Sequence, residues 1–455
     1  MAPERDELER RRRKRAALRK KQLMEQRRMR MRLMIAGVVM ILVIALIFFV
    51  VRDIAQNHPE GESTPSQELV TEPPTQERAT QPPDTPTTTI HIRAAGDLNV
   101  TDKVVAAGKT NYGDDYFDYT KAFLDVVPVL SKADLTLMNF EGNLVGPPYG
   151  TQTASAPQQL VEALRAAGVD ILQMANSYSI YNGIIGLNQT LNNIRAAGIE
   201  PVGAFSSEEE FRRAKGYTIC EVQGIKVAVV AFTKGMGSLG LPEGSENLVN
   251  KLFVDYDSEY RNIDYDGIRS ILKSLRSENP DITIAMLHWG AEYNDILFES
   301  QEDIAGLMFD EGVDVIIGTH SHMVHQIDFD KENNTLVAYS LGDFFGDATK
   351  GGTNYSIVLD IQITRDNEMG TTKIDGFTAI PIYTLSEKEG GGQRRVVRIE
   401  EAVAAYEVNF VDKVTKDAYE SLTYSLERIE ARLDPVAWKA KQDALAATEE
   451  AAGEK

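Results

Sequence analysis

At three places the chain runs out of a helical pattern into a glycine and straight on into an apolar run: RAAGVDIL (165–172), RAAGIEPV (195–202) and DEGVDVII (310–317). A glycine there can take the left-handed conformation that stops a helix. The segments on either side fit. QQLVEALRAAG, NQTLNNIRAAG, YDGIRSILKSLRSEN and QEDIAGLMFDEG carry helical spacing. TIHIRAAGD, ADLTLMNFEGN, VDILQMANS, IKVAVVAFT, DITIAMLHWG, VDVIIGTHSH, TLVAYSLGDFF and NYSIVLDIQIT read as strands. Their alternation from Ile90 to about Arg398 is the connectivity of an α/β domain.

Polar residues follow these strand runs at once: Asp97, Glu141, Asn176, His288, His320 and His322. In open α/β sheets ligands gather at the carboxyl ends of strands, so these six point to one shared site. In an extended GTHSHMVH, His320 and His322 face the same side and His325 the other. With His288, Asp97 and Glu141 they form a mixed nitrogen and oxygen set that suits Zn, Mn or Fe. Two such ions, about 3.5–4 Å apart around a bridging carboxylate, would activate water. Taken singly, each residue is more often structural or solvated. Five of them at strand ends favour a metal site.

AAGDLNV, LMNFEGNLVG, MANSYSIYNG, MLHWGAEY, IIGTHSHMVHQID and AYSLGDFFGD occur in that order. The series resembles the motifs of the CapA family of capsule-synthesis proteins, linked to poly-γ-glutamate capsules, over residues 90–385. The resemblance implies a divergent calcineurin-like metallophosphatase domain, a four-layer αββα sandwich. It places Asp97, Glu141, His288, His320 and His322 at metal-ligand positions. One motif departs. The family usually reads Asn-Asn-His-x-x-Asp-x-Gly where this chain has Asn176-Ser177-Tyr178-Ser179-Ile180-Tyr181-Asn182-Gly183. Ser177 stands at an amide ligand, Tyr178 at the expected leaving-group acid and Tyr181 at its acidic partner. A phenol with a pKa near 10 is a reluctant proton shuttle at neutral pH. Asp343 stands where the family tends to have Asn, and it either adds a carboxylate or caps a turn. Glu292 and Asp343 are the alternative proton donors.

Outside the domain, charge is sharply divided. Residues 1–32 carry +9, leaving −29 on the remainder of a chain of net charge −20. Between the two lies LMIAGVVMILVIALIFFVV (33–51), 19 uncharged residues that as a helix would span about 28 Å. The long basic flank and the lack of an A-x-A-like site favour an uncleaved membrane anchor over a signal peptide. The positive side stays cytoplasmic and the domain lies outside. Residues 5–32 then meet anionic lipid head groups rather than nucleic acid. Residues 54–89, with 7 of the 17 prolines, read as a disordered stalk. Cys220, the single cysteine, reads as a small buried residue, and no intrachain disulfide is possible. Residues 399–455 read as a helical extension, in which Val411, Val414, Ala418, Leu422, Leu426, Ile429 and Leu433 repeat at helical spacing up to Pro435 as one long amphipathic helix, more suited to packing on its own domain than on a partner. Arg394, Arg395 and Arg398 read as a solvated edge strand. Three functions are consistent with this: handling of an extracellular polymer with capsule machinery, metal-dependent hydrolysis, or scaffolding without catalysis.

Overall fold

The computed structural model describes residues 86–111, 116–408, 414–440 and 442. The chain forms β1 (Thr87–Asn99), β2 (Leu135–Glu141), β3 (Ile171–Gln173), β4 (Glu200–Val202), β5 (Tyr217–Val222), β6 (Ile225–Thr233) and β7 (Ile282–His288). It continues with β8 (Val315–Thr319), β9 (Ile327–Asp330), β10 (Thr335–Ala338), β11 (Asp343–Phe345), β12 (Tyr355–Asp366), β13 (Thr371–Leu385) and β14 (Arg395–Arg398). One sheet runs β14-β13-β12-β1-β2-β3-β4, with β11 added against β1, and the other runs β5-β6-β7-β8-β10-β9. The result is a mixed α/β sandwich of two sheets. Within it β1 to β4 are parallel, as are β6, β7, β8 and β10.

A repeated device sets the register of the parallel strands. Asp134, Asp170, Asp281 and Asp314 each stand at a strand entrance. Their carboxylates accept the backbone N–H of His91, Thr136, Lys226 and Thr283 on the neighbouring strand at 2.7–3.0 Å. Each aspartate's own N–H donates back to the carbonyl of that same residue at 2.8–3.0 Å. This two-bond clamp satisfies backbone groups that the end of a ladder leaves open. A slip of one residue would break it and turn every side chain to the wrong face.

The inner strands β6, β7 and β8 of the second sheet are buried on both sides, which is why they read as unbroken apolar runs. Val227, Val229 and Ala231 of β6 pack into the large core shared with the first sheet. Ala228, Val230 and Phe232 pack into a second core. That core is closed by Ile268, Leu272 and Leu275 of helix Tyr265–Arg276 and Ile304 and Met308 of helix Glu299–Asp310. Helices Gln158–Ala167 and Gly183–Ala196 bury Leu160, Leu164, Leu187 and Ile194 in the large core. The three joint glycines, 168, 198 and 312, all have positive φ, as the helix-stop reading requires.

Several expectations need correction. Strand β1 begins at Thr87, inside the segment assigned to the stalk, because Thr87–Thr89 pair with β12 and Thr89 bonds Thr364 across the strands at 2.7 Å. TLVAYSLGDFF is two strands in different sheets, since Gly342 at φ 81° turns the chain between β10 and β11. The C-terminal extension holds helix Ile399–Glu407 and a separate helix Lys416–Leu433, which starts late because the Thr415 side chain caps it by accepting Ala418 N–H. Val414 precedes that helix. Ala418, Leu422 and Ile429 pack into the domain's own core, as the apolar spacing foretold. Strand β14 is an edge, but Arg395 and Arg398 in it and Arg394 just before it are spent internally. Arg394 is buried against Glu387 and two carbonyls, Arg395 pairs with Asp125, and Arg398 pairs with Glu401. Cys220 is partly buried, and burial raises its thiol pKa to about 11. Among the described residues no helix is long and apolar enough to cross a membrane. The segments 1–32 and 33–51, the stalk up to residue 85 and Val411 lie outside the described residues.

Candidate metal centre

The carboxyl ends of β1 and β2 in one sheet meet those of β6, β7 and β8 in the other, and the polar residues converge there. Asp97, Glu141, His288, His320, His322 and Asp343 are all at most 5% exposed. Glu141, His320 and His322 turn ligand atoms to within 4.8 Å of one another, and so do Asp97, His322 and Asp343. The residue common to both groups is an imidazole, not a bridging carboxylate.

The two histidines after β8 do not lie in an extended segment. His320 has φ 89° and His322 φ 60°. Each left-handed residue costs about 1–2 kcal/mol, so the loop must be held from outside. Part of the hold is Asp97, whose Oδ2 accepts the His320 backbone N–H at 3.1 Å. His325 stands apart, its Nε2 2.7 Å from the Asn294 carbonyl, although the alternation that set it apart in the sequence holds only for extended backbone.

Asn139 escaped the sequence reading. It lies beside Asp97 across the β1–β2 ladder and two residues before Glu141, on the same face. Its Nδ2 donates to Asp97 at 2.7 Å and Glu141 at 3.1 Å, and its Oδ1 accepts from Asn176 at 3.1 Å. Asn176 also donates to the Phe140 carbonyl and accepts from Tyr178 N–H. The Asn176 amide therefore braces the site, with one lone pair of its Oδ1 engaged by Tyr178 N–H. Period-two spacing within NFE was the available signal for Asn139.

His288 carries the clearest indication of a missing positive charge. Thr233 Oγ1 donates to the Gly235 carbonyl, so it receives Nδ1–H of His288 at 3.1 Å. That tautomer leaves a lone pair on Nε2, 3.1 Å from Glu141 Oε1. Two acceptors in contact need a cation or a proton between them. Burial holds His288 neutral, with its pKa down to about 3. Burial also raises Glu141 and Asp97 to about 7 and raises Asp343. Burial opposes charge on His322 too, but Asp343, Glu141 and Asp97 outweigh it and hold that imidazole well above its usual value. His320, by contrast, is pushed well down by burial, and its Nδ1 is buried with no partner. Carboxyls raised by burial, an imidazole held up by the carboxylates around it and a buried nitrogen without a partner all mark a place that favours positive charge. A buried set of this kind is compatible with a divalent metal, and the residues fit one.

The mouth adds further groups. The Tyr293 ring stacks on His322 with centroids 5.2 Å apart, and Lys350 Nζ stands 4.3 Å from the Tyr293 ring. Lys234 Nζ donates to the Gly290 carbonyl at 2.6 Å, and burial lowers its pKa. Tyr178 and Tyr181 pair with centroids 5.7 Å apart. Burial, then the charges of Glu141 and Glu292, push the Tyr178 phenol above its ordinary value. Ser177 is partly exposed in the same turn, and Glu292 is exposed on the loop after β7.

The model of the family described as bacterial capsule synthesis protein PGA_cap matches residues 91–348, more than half of the chain. The chain belongs to this family. Among its relatives is the capsule biosynthesis protein CapA of Bacillus anthracis, 30% identical over 273 residues, which are 58% of this chain and 61% of that one. This chain therefore spans about three-fifths of that relative's length. The PGA biosynthesis protein CapA of Bacillus subtilis (strain 168) is 24% identical over 317 residues, 67% of this chain and 75% of that one. A solved phosphatase from Mycoplasma pneumoniae aligns with TM-score 0.39 and 14% identity, covering 65% of this chain and 94% of that one. That likeness is too faint to bear on chemistry. Family membership relates this chain to proteins described by capsule and PGA biosynthesis.

Proposed function

We propose that this protein is a membrane-anchored, extracytoplasmic capsule-synthesis factor that engages the carboxylates of an anionic envelope polymer of the poly-γ-glutamate type. It does so through a divalent ion (Zn, Mn or Fe) and the lysines at the mouth. Glu141, His288, His320 and His322 hold the ion; Asp97 and Asp343 set the histidine loop and offer further oxygens. The observation that carries this reading is His288 Nε2 facing Glu141 across 3.1 Å in a member of the capsule-synthesis family. When bound, the ion supplies positive charge and Lewis acidity. The chain's own residues do the rest. Thr233 orients His288, Asn139 spaces the two carboxylates, and Lys234 and Lys350 offer cations at the entrance. Such cations matter because the part of the chain beyond residue 32 carries −29, which repels a polyanion. The arginines of β14 cannot help, being paired within the fold. The apolar run 33–51 with its basic flank supports the anchor, with residues 5–32 on anionic lipid.

Two measurements on the full chain test this: elemental analysis of the purified protein, and polymer production in a host lacking it. The double variant His320→Ala, His322→Ala should lose both metal and polymer. Normal polymer made by a metal-free double variant would reject the reading. A second reading, a metal-dependent phosphoesterase, is favoured by the retained imidazoles and disfavoured by the Tyr178 phenol.

A further inference from the structure

Helix Lys416–Leu433 lies beyond residues 91–348, where the family match ends, yet its last turn reaches the two loops that carry the candidate metal centre's histidines. Arg432 Nη1 donates to the Val324 carbonyl at 3.4 Å, two residues after His322. Its Nη2 pairs with Asp295 at 3.3 Å, in the loop that follows His288 and carries Glu292 and Tyr293. Its guanidinium also stands 5.8 Å from the Tyr355 ring. The two loops meet directly as well. Tyr293 N–H donates to the Ser321 carbonyl at 2.9 Å, and His325 Nε2 lies 2.7 Å from the Asn294 carbonyl. Arg432 closes this seam from outside.

Stability does not account for an arginine here. Its side chain is 11% exposed, its bonds are long, and Nε is buried with no partner. A buried cation so incompletely bonded contributes little net stability, and an apolar residue of similar volume would anchor the helix as well or better. Anchoring already comes from Ala418, Leu422 and Ile429. What a Leu or Met would lack is the fork that holds two loops at once. The loops need holding, because His320, His322 and Tyr293 all have left-handed backbone.

We propose that Arg432 is a positioning residue for the metal centre. It fixes the His320/His322 loop against the His288 loop, so that the C-terminal extension completes a site whose other parts lie within the family match. The proposal rests on the reading of that cluster as a metal site. Removing a group that bonds a ligand directly typically costs about 10–100-fold in metal affinity; Arg432 acts one step further out, through the loop backbone, which sets the lower end of that range.

The test uses the full chain, titrated with Zn²⁺ against a chromophoric chelator, and the visible spectrum of its Co²⁺ form. Arg432→Met should weaken Zn²⁺ binding about tenfold or more and shift the Co²⁺ bands. Arg432→Lys should recover part of the loss, and Asp295→Asn combined with Arg432→Met should add little to it. Ile429→Ala, which loosens the same helix without touching either loop, should lower Tm and leave the Co²⁺ bands in place. Unchanged affinity and spectrum in Arg432→Met would overturn the proposal, as would an equal loss in Ile429→Ala. Should Arg432→Met fail to fold, wild-type affinity in both Arg432→Lys and Asp295→Asn would overturn it too. If the wild-type chain binds neither ion, the metal reading fails, and this proposal falls with it.

Discussion

Asp97 and Asp343 face each other across the short parallel pairing of β1 with β11, and His322 Nδ1 lies 3.5 Å from the first carboxylate and 2.8 Å from the second. Its Nε2 is left pointing towards Glu141, 3.9 Å away. Asp343 thus does more than cap a turn. It orients an imidazole in the manner of a carboxylate behind a metal-bound histidine.

Asp343→Asn keeps an acceptor for Nδ1–H but removes the charge. We expect metal affinity to fall about tenfold, the lower end for outer-partner changes, with little change in fold. Titration of the variant beside the wild type decides it, and equal affinities would deny Asp343 this role.

The same juxtaposition depends on Gly96. A Cβ there would stand 1.8 Å from the Gly342 carbonyl oxygen, which is backbone and cannot swing away. Asp97 N–H donates to that same carbonyl at 3.0 Å. Gly96→Ala should therefore part β1 from β11, destabilising the domain by about 1–3 kcal/mol or more and weakening metal binding together. Thermal unfolding with a Tm equal to wild type would contradict this.

Much of this was legible in the chain. The apolar runs revealed the strands whose ends carry Asp97, Glu141 and His288, and β2 and β7, buried along their whole length, cannot disguise themselves. Other features had no local signal. His320 and His322 read as an extended pair, yet the bonds that turn them come from Asp97 and, through Val324, from Arg432, far away in sequence. Asp343 read as the end of one strand because nothing in YSLGDFF announces that the chain changes sheets at Gly342. Strand β13 was missed because TTKIDGFTAIPIYTL holds a glycine and a proline and is half exposed.

Asp314 gives a pH test away from the site. Burial raises its pKa to about 6, although its carboxylate accepts Thr283 N–H at 2.7 Å. A folded value above the unfolded one of about 3.9 means that the group's contribution to stability is fully present below pH 4. It is lost as pH rises through 6. Asp314→Asn retains the acceptor without the charge, so it should stabilise the domain at pH 7.5 by about 1–2 kcal/mol, discounted for the partial solvent exposure. The gain should vanish near pH 4. Chemical unfolding at both pH values measures it, and a gain that is larger at pH 4 would reverse the sign.

The anchor reading has a direct consequence. Protease added to intact cells should remove the domain while sparing residues 1–32, since the basic flank keeps that end inside. A domain protected from external protease would place it in the cytoplasm and remove the polymer outside as its target.

The phosphoesterase reading turns on Tyr178. General acid assistance typically contributes about 10²–10⁴-fold, and here the residue at the acid position is a phenol. Its pKa is raised further by burial and by Glu141 and Glu292. An aryl phosphate with an activated leaving group, which needs little protonation, should be hydrolysed far better than an alkyl phosphate. The triple change Ser177→Asn, Tyr178→His, Tyr181→Asp should raise alkyl phosphodiester cleavage while altering metal affinity less, because the buried ligand groups Glu141, His320, His322 and Asp97, His322, Asp343 are left intact and Ser177→Asn adds at most one neutral ligand. Tyr178→Phe should leave the aryl rate unchanged. Suppose instead that the natural protein cleaves alkyl esters briskly and Tyr178→Phe does not slow it. The proton would then come from elsewhere. Exposed Glu292 would be the first residue to replace, since Asp343 already faces His322 at 2.8 Å and reaches substrate only by giving up that contact.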